Sequence, residues 1–224
     1  GPMRTEKDPR LFGKLTWQVN PDNKLEFWGE WDRFDVTGRG GKGIIALTAR
    51  EEDEVAHLFI TSTHHYVLFF TNRGRVYRLR AHGIPSASRQ ARGSAIINLI
   101  QIQSGEKITA TLAVREFAAD RYVFMATSRG TVKKTSLESL HTRIKGGLIA
   151  INLDEGDELS WVEITDGKDE IVLATSQGMS IRFPEEQVRP MGRQAAGVRG
   201  IRLRKDDHVV GMAAAREDAK LLVA

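Results

Sequence analysis

Short apolar runs alternate with polar turns along this chain, and the pattern recurs about every 50 residues. The clearest copies cover residues 66–79, 122–135 and 171–183. Each copy is an apolar strand, a Gly-containing turn and a strand that carries Arg or Lys. A basic, Gly-rich loop and an apolar stretch ending in Leu then follow. Because no single copy can bury its own apolar face, the pattern predicts that the copies stack on one another.

A further apolar strand follows the stretch that ends in Leu. These stretches end at Leu47, Leu99, Leu153 and Leu203, and the strands that follow are at 55–61, 108–114, 159–164 and 209–213. Four short strands per repeat are typical of a propeller blade, whereas a helical solenoid would need a 3.6-residue periodicity that is weak here. The sequence therefore predicts an all-β, propeller-like fold of four-stranded blades. It contains about four repeats, and residues 220–224 are interpreted as an extra terminal strand.

The first copy departs from the later ones. Its hairpin strands, at 15–19 and 24–28, have the register of the repeat, but Trp17, Trp28 and Trp31 have no counterparts further along the chain. Two interpretations remain open. The chain is cut from a longer propeller and left open, or its first hairpin pairs with the terminal strand and closes the ring.

The chain is expected to form one domain behind a short leader. Residues 1–10 are interpreted as a tag remnant and linker, because they begin with the protease-scar sequence Gly-Pro-Met, and residues 11–224 as the β domain. There is no cysteine, which excludes disulfides and thiolate metal sites, and no apolar run approaches the ~18 residues that span a bilayer.

Charge is segregated between different loops. The formal net charge is +4; Lys and Arg concentrate in the Gly-rich loops, whereas acidic residues concentrate in other turns, such as 51–54 and 154–158. This segregation predicts one basic face and a polyanionic partner.

Four basic loops occupy equivalent positions of the repeat, at 37–43, 89–93, 141–147 and 193–200. Glycine lets the backbone approach a ligand closely, successive N–H groups form anion-binding concavities, and Arg or Lys supplies the charge that holds phosphate. A nucleotide-binding phosphate loop is not supported, because Gly43 stands where Ser or Thr would have to follow Lys42. Four such patches on one rim suit a continuous polyanion better than a nucleotide.

The candidate binding residues come from these loops and from the strands before them. The loop residues are Arg39, Gly40, Gly41, Lys42, Gly43, Arg89, Arg92, Arg143, Lys145, Arg193 and Arg199. The strand residues are Arg75, Arg78, Arg80, Lys133, Lys134 and Arg182. For the strand residues, the alternative is ordinary outward-facing charge that protects a sheet edge from aggregation. Tyr77, between two of these arginines, is interpreted as packing rather than as a base-stacking residue.

The sequence predicts no catalytic centre, metal site or cofactor. His64 and His65 are interpreted as turn residues, and the acidic stretch 154–158 lacks the spacing of a calcium loop. No nucleophile with an adjacent base is apparent.

The chain resembles the C-terminal domain of the DNA gyrase A protein. The resemblance covers residues 39–224 and is carried by the motifs at 69–79, 131–135, 182–186 and 189–193. It implies a β-pinwheel that binds duplex DNA around a basic perimeter and wraps it with a positive sense, so that the full topoisomerase can supercoil negatively. It also implies a bacterial, cytoplasmic, nucleoid-associated protein. The breakage-reunion domain of gyrase A and the gyrase B protein would be its partners, with the catalytic tyrosine and the ATPase lying outside this chain.

Residues 37–43 resemble the seven-residue box of that family, Gln-Arg/Lys-Arg-Gly-Gly-Arg/Lys-Gly. Residues 39–43 match, whereas Thr37 and Gly38 depart from the motif, and the family's six blades exceed the copies found here. A truncated or engineered member with a divergent first hairpin is therefore expected. The related C-terminal domain of the A-type protein of topoisomerase IV is the alternative within the family, and a propeller scaffold for protein binding is the alternative outside it.

Overall fold

The computed structural model describes residues 11–20, 23–31, 61–85, 95–141 and 146–215, which fall into two compact units. The first unit contains the antiparallel hairpin of β1 (Leu11–Asn20) and β2 (Asn23–Trp31), with the described residues among 61–67, 79–85, 95–101 and 113–115. The second contains the described residues among 68–78, 102–112 and 116–215. No helix in these described ranges has the length and hydropathy needed to cross a bilayer.

The remaining strands follow the predicted repeat. They are β3 (Tyr66–Thr71), β4 (Arg75–Arg80), β5 (Ile108–Val114), β6 (Tyr122–Thr127), β7 (Thr131–Ser136), β8 (Leu148–Ile149), β9 (Leu159–Thr165), β10 (Glu170–Thr175), β11 (Ser180–Pro184), β12 (Val198–Arg199) and β13 (Val209–Ala215). Single 3-10 turns occur at Ala81–Gly83, Ile96–Asn98, Leu137–Leu140 and Glu185–Gln187. The strands predicted within the described residues are thus confirmed, except for the stretches ending in Leu.

The strands form sheets in the orders β5-β3-β4-β8, β9-β6-β7-β12 and β13-β10-β11. The prediction of an all-β fold with four-stranded blades is confirmed, but each fourth strand comes from the following repeat. Strand β8 pairs with β4 and β12 pairs with β7. The stretches ending in Leu were expected to be full strands. The three that lie within the described residues, ending at Leu99, Leu153 and Leu203, form only a 3-10 turn at Ile96–Asn98 and these two-residue strands.

Glycine carbonyls explain why β8 and β12 are short. The Gly74 carbonyl accepts hydrogen bonds from Ala150 N (2.8 Å) and Ile151 N (3.2 Å), and Gly130 accepts in the same way from Gly200 N and Ile201 N. Since one carbonyl takes two consecutive N–H groups, the regular ladder ends there. Gly74 has φ +71°, and a Cβ on it would lie 2.5 Å from the Ile151 carbonyl oxygen. The turn glycine is thus required by its conformation and by the close approach of the next repeat.

The core lies between neighbouring sheets of the second unit. Its buried cluster is Phe124, Ala126, Val132, Ile171, Leu173, Phe183, Val188, Ile201, Val209 and Met212. In β6, which has a strand on each side, five consecutive residues are buried, because a central strand covered on both faces has no solvent side. In β11, which has no fourth strand beside it among the described residues, three of the five residues are exposed.

The acidic turns hold the Gly-containing turns in place. Asp157 Oδ1 accepts hydrogen bonds from Arg129 N (3.0 Å) and Ser128 Oγ (2.9 Å), and Asp207 Oδ1 accepts from Gln177 N (3.0 Å) at the equivalent place of the next repeat. These carboxylates satisfy turn N–H groups that have no ladder partner. Their position in the sequence is therefore explained by the fold.

Candidate nucleic-acid interface

A solvent-open cleft of about 270 Å³ lies where successive basic loops meet. It is lined by Arg75, Gly147, Leu148, Ile149, Arg193 and Gln194. Arg75 belongs to β4. Gly147 ends the basic loop of the next repeat, Leu148 and Ile149 form β8, and residues 193–194 belong to the basic loop of the repeat after that. Three successive repeats thus bring two arginines and a glycine backbone to one cleft. Of the predicted residues, this cleft unites Arg75 and Arg193.

Arg75 is held against the backbone of the adjacent loop. Its Nη2 donates to Gly146 O (2.7 Å) and to Gly147 O (3.4 Å), and its Nε lies 3.5 Å from Glu106 Oε1. The side chain is 22% exposed, and the buried Glu106 carboxylate offsets part of its charge. Arg75 therefore orders the loop in addition to lining the cleft.

Tyr77 packs against the same loop. The residue is 1% exposed, and its hydroxyl donates to Glu106 Oε2 at 2.6 Å. Burial raises the pKa of Tyr77, and the hydrogen bond to Glu106 raises it further. A Cβ on Gly147, which has φ +78°, would lie 2.6 Å from the tyrosine ring. The interpretation of Tyr77 as a packing residue is thus confirmed.

The basic loop at 193–200 is attached to β7 on both sides. Pro190 bridges to Lys134 and Met191 N donates to Lys134 O (2.8 Å), while Val198 and Arg199 of β12 pair with the start of β7. Gly197, with φ +100°, passes so close that a Cβ would lie 2.6 Å from Val132 O. The fixed ends hold the backbone that presents Arg193, which is half-buried, and Arg199, which is exposed.

Lys133 and Lys134 were predicted to contact phosphate, but the structure places both side chains in the interior. Lys133 is 0% exposed, and its Nζ donates to Ala150 O (2.6 Å) and Arg193 O (2.5 Å). Lys134 is 3% exposed, and its Nζ donates to Glu185 O at 2.8 Å and lies 3.8 Å from Glu185 Oε2. Both ammonium groups are enclosed by protein, so the prediction that these two lysines contact phosphate is wrong.

The burial of Lys133 should make stability depend on pH. Burial lowers the pKa of Lys133 to about 8 from 10.5, so the folded state holds its proton less tightly than the unfolded chain does. Folding therefore gains stability as pH rises from about 8 to 10.5, by up to about 3 kcal/mol for this group. We expect the stability difference between wild type and Lys133→Met, measured by urea unfolding across that window, to change with pH in the direction that favours wild type as pH rises. A difference that stays constant would contradict this assignment.

The other predicted arginines in the described residues differ in how freely they face solvent. Arg80 is exposed and lies over the Tyr66 ring, 4.3 Å from its centroid, and the half-buried Arg78 lies 5.9 Å from the Phe117 centroid. Arg182 is 68% exposed but forms an ion pair with Glu170, which reduces its attraction for an anion. Arg199 is exposed on β12.

Two exposed arginines beside the last loop were not predicted. Arg189 precedes the bridge at Pro190, and Arg202 follows β12. Their closeness in sequence to the basic loop is the signal that could have identified them. Several predicted positions lie outside the described residues: Arg39, Gly40, Gly41, Lys42, Gly43, Arg89, Arg92, Arg143, Lys145 and the strand at 220–224.

Two polar clusters in the described residues are explained by local hydrogen bonding. His65 Nδ1 lies 3.0 Å from Thr61 Oγ1, and burial, together with the positive charge of Arg115, lowers the pKa of His65. Asp166, Asp169 and Glu185 come close enough to suggest a metal site. The Glu185 carboxylate, however, already accepts hydrogen bonds from Gly167 N (2.8 Å) and Asp169 N (3.0 Å).

Each four-stranded sheet receives its outer strand from the following repeat, and this arrangement is that of a β-pinwheel, a variant of the propeller. The profile of the family described as "DNA gyrase C-terminal domain, beta-propeller" matches residues 32–62, 65–115, 121–166 and 169–216. The chain belongs to this family of DNA gyrase A C-terminal domains.

Relatives agree with this family assignment, and a solved structure shares the fold. The DNA gyrase A protein of Clostridium acetobutylicum is 47% identical over 169 residues, which is 75% of this chain and 20% of the relative. The gyrase A protein of Salmonella typhimurium is 45% identical over 189 residues, 84% of this chain and 22% of the relative. The crystal structure of the C-terminal domain of DNA topoisomerase IV shares the fold, with a TM-score of 0.75 and 24% identity over 96% of this chain and 63% of that one. The chain thus spans about a fifth of the length of these gyrase A relatives.

Proposed function

We propose that this chain binds duplex DNA through its basic loops, without strong sequence preference, and wraps it. The observation that carries the proposal is the cleft where Arg75, Gly147 and Arg193 meet. Arginine offers paired donors that suit phosphate, and a glycine backbone lets a phosphate come close. Because the arginines come from different repeats, a ligand that contacts several loops at once is favoured over a single small anion.

Wrapping requires several such contacts. Bending a duplex of 20–30 bp costs on the order of 1–6 kcal/mol, which one phosphate patch cannot offset. We therefore propose that Arg78, Arg80, Arg182, Arg189, Arg199 and Arg202 extend the binding track, together with Arg89, Arg92, Arg143 and Lys145. In the box, Arg39 and Lys42 would neutralise phosphates, and Gly40, Gly41 and Gly43 would allow the backbone to approach the DNA.

We infer the wider context from the family. The chain would act as the accessory C-terminal part of a gyrase A protein in the bacterial cytoplasm. It would present DNA to the breakage-reunion domain of gyrase A, which works with the gyrase B protein during negative supercoiling. Catalysis would lie in those other parts, and this chain would need no cofactor.

Ligation of nicked circular plasmid in the presence of the chain tests the proposed wrap. After deproteinisation we expect a positive shift in linking number that grows with protein concentration, because wrapped turns are trapped when the nick is sealed. Arg39→Ala/Lys42→Ala should reduce this shift, since it removes two cations from the box. Lys168→Ala is the matched control, because Lys168 is exposed in a turn that also contains Asp166 and Asp169. Binding without any shift in linking number would contradict wrapping.

A further inference from the structure

The ammonium group of Lys133 joins the segment that follows one basic loop to the next basic loop. It donates to Ala150 O (2.6 Å), directly after β8 and so just beyond the loop at 141–147, and to Arg193 O (2.5 Å) in the loop at 193–200. Asn152, two residues further along, makes a second connection to the loop at 193–200: its Nδ2 donates to Gln194 O (2.5 Å) and its backbone N to Ala195 O (3.3 Å). The segment that directly follows the loop at 141–147 is thus bonded to the loop at 193–200, beside the Arg75–Arg193 cleft.

The repeat does not require a cation at the position of Lys133. The equivalent residues of the neighbouring repeats are Tyr77 and Ile181, counted from the turn glycines Gly74 and Gly178. Among the described residues, no acidic side chain forms an ion pair with Lys133, and its hydrogen bonds go to loop carbonyls. A buried cation without an acidic partner is costly, so its presence at this position points to the connection that it makes.

We propose that Lys133 is a positioning residue that sets the spacing of the loops carrying Gly147 and Arg193, and so favours the bent form of bound duplex DNA. This inference rests on the proposed function. Lys133 does not touch the DNA. It fixes the Arg193 backbone relative to Gly147 and Arg75, so that one curved duplex can contact both loops.

If Lys133 only positions the loops, replacing it should reduce the bending of a long duplex without reducing the affinity for a short one. Each loop keeps its own cations when Lys133 is replaced, so a short duplex that reaches only one loop should bind almost as before. A longer duplex must contact both loops to offset its bending cost, and loops with variable spacing make that simultaneous contact less frequent.

The test compares wild type with Lys133→Met, which keeps the length of the apolar stem. For a short duplex we expect the affinity to change by less than about twofold. For an end-labelled duplex of about 30 bp, we expect fluorescence energy transfer to show about fivefold less bent complex at saturation. Lys168→Ala, which removes an exposed lysine from the acidic turn after β9, should change neither reading. If bending and short-duplex affinity fall in proportion, or if bending is unchanged, the proposal is overturned.

Hydrogen exchange tests the loop connection without DNA. We expect protection of the Asn152 amide, which donates to Ala195 O across the two loops, to fall about tenfold in Lys133→Met while β6 amides keep their protection. Unchanged protection would overturn the proposal. If Lys133→Met does not fold, Asn152→Ala removes the exposed second connection, and it should reduce bending without reducing short-duplex affinity. A wild-type chain that binds neither duplex would overturn the proposed function together with this inference, whereas proportional losses would overturn the inference alone.

Discussion

Replacing Gly74 by alanine is expected to destabilise the fold by about 3 kcal/mol. The new Cβ would lie 2.5 Å from the Ile151 carbonyl oxygen. In addition, Gly74 has φ +71°, a backbone conformation that residues with a side chain rarely adopt. The contact is with backbone, so it cannot be relieved by a rotamer change. The expected consequence is loss of the two hydrogen bonds that the Gly74 carbonyl accepts from Ala150 N and Ile151 N of the next repeat. Equilibrium urea unfolding measures the effect.

Gly178 provides the control for this substitution. It occupies the equivalent turn of the fourth repeat with φ +76°, but no described atom lies within 4 Å of the position that a Cβ would occupy. Gly178→Ala should therefore destabilise the fold by only about 1 kcal/mol, which is the cost of holding alanine in the left-handed backbone conformation. Equal losses for the two variants would mean that strain at the turn, and not the joint between repeats, determines the effect.

Replacing Glu185 by leucine is expected to cost about 3–5 kcal/mol, because it leaves a buried cation without its partner. Glu185 is fully buried, and its Oε2 accepts from Thr165 Oγ1 (2.8 Å) and lies 3.8 Å from Lys134 Nζ. Its Oε1 accepts two turn N–H groups, from Gly167 and Asp169. Leucine fills similar space but satisfies none of these donors. Denaturant unfolding followed by circular dichroism gives the free-energy change.

Glu186→Leu is the matched control for this variant. Glu186 is the next residue along the chain and is exposed, so the same substitution should change stability by less than about 0.5 kcal/mol. Additional removal of the cation, in Glu185→Leu/Lys134→Met, should recover part of the lost stability, because the unpaired buried charge is gone. Failure to recover any stability would contradict the ion-pair explanation.

The strands and turn glycines could be predicted from the sequence because both depend on local patterns. Apolar runs bounded by Gly and polar residues identified β3 to β7, and Gly74 and Gly130 fell at the predicted turns. The exchange of the fourth strand could not be predicted, because it depends on pairing between residues that are far apart along the chain. Strand β12 reaches β7 from the next repeat, and among the described residues this pairing covers the edge of β7.

The same long-range pairing explains the misassigned lysines. Lys133 and Lys134 were predicted to contact phosphate, with outward-facing edge charge as the alternative. Because consecutive residues of a strand face opposite sides, at least one of the two would face outward on an uncovered sheet. In the structure, β6 and β12 flank β7 and the following loop crosses it, so both side chains are enclosed. By contrast, two of the arginines predicted from the basic loops lie where solvent can reach them: Arg193 lines the cleft and Arg199 is exposed. The box at 37–43 lies outside the described residues and stays a prediction.

The salt dependence of duplex binding tests the central claim most directly. If the basic loops neutralise phosphates, log Kd should rise linearly with log salt concentration, and each lost phosphate contact should lower the slope by about 0.9. Arg193→Ala/Arg199→Ala should therefore lower the slope by about 0.9 for each of the two lost phosphate contacts, while Lys168→Ala leaves the slope unchanged. A slope that the two arginine substitutions do not change, or binding that does not respond to salt at all, would contradict the account.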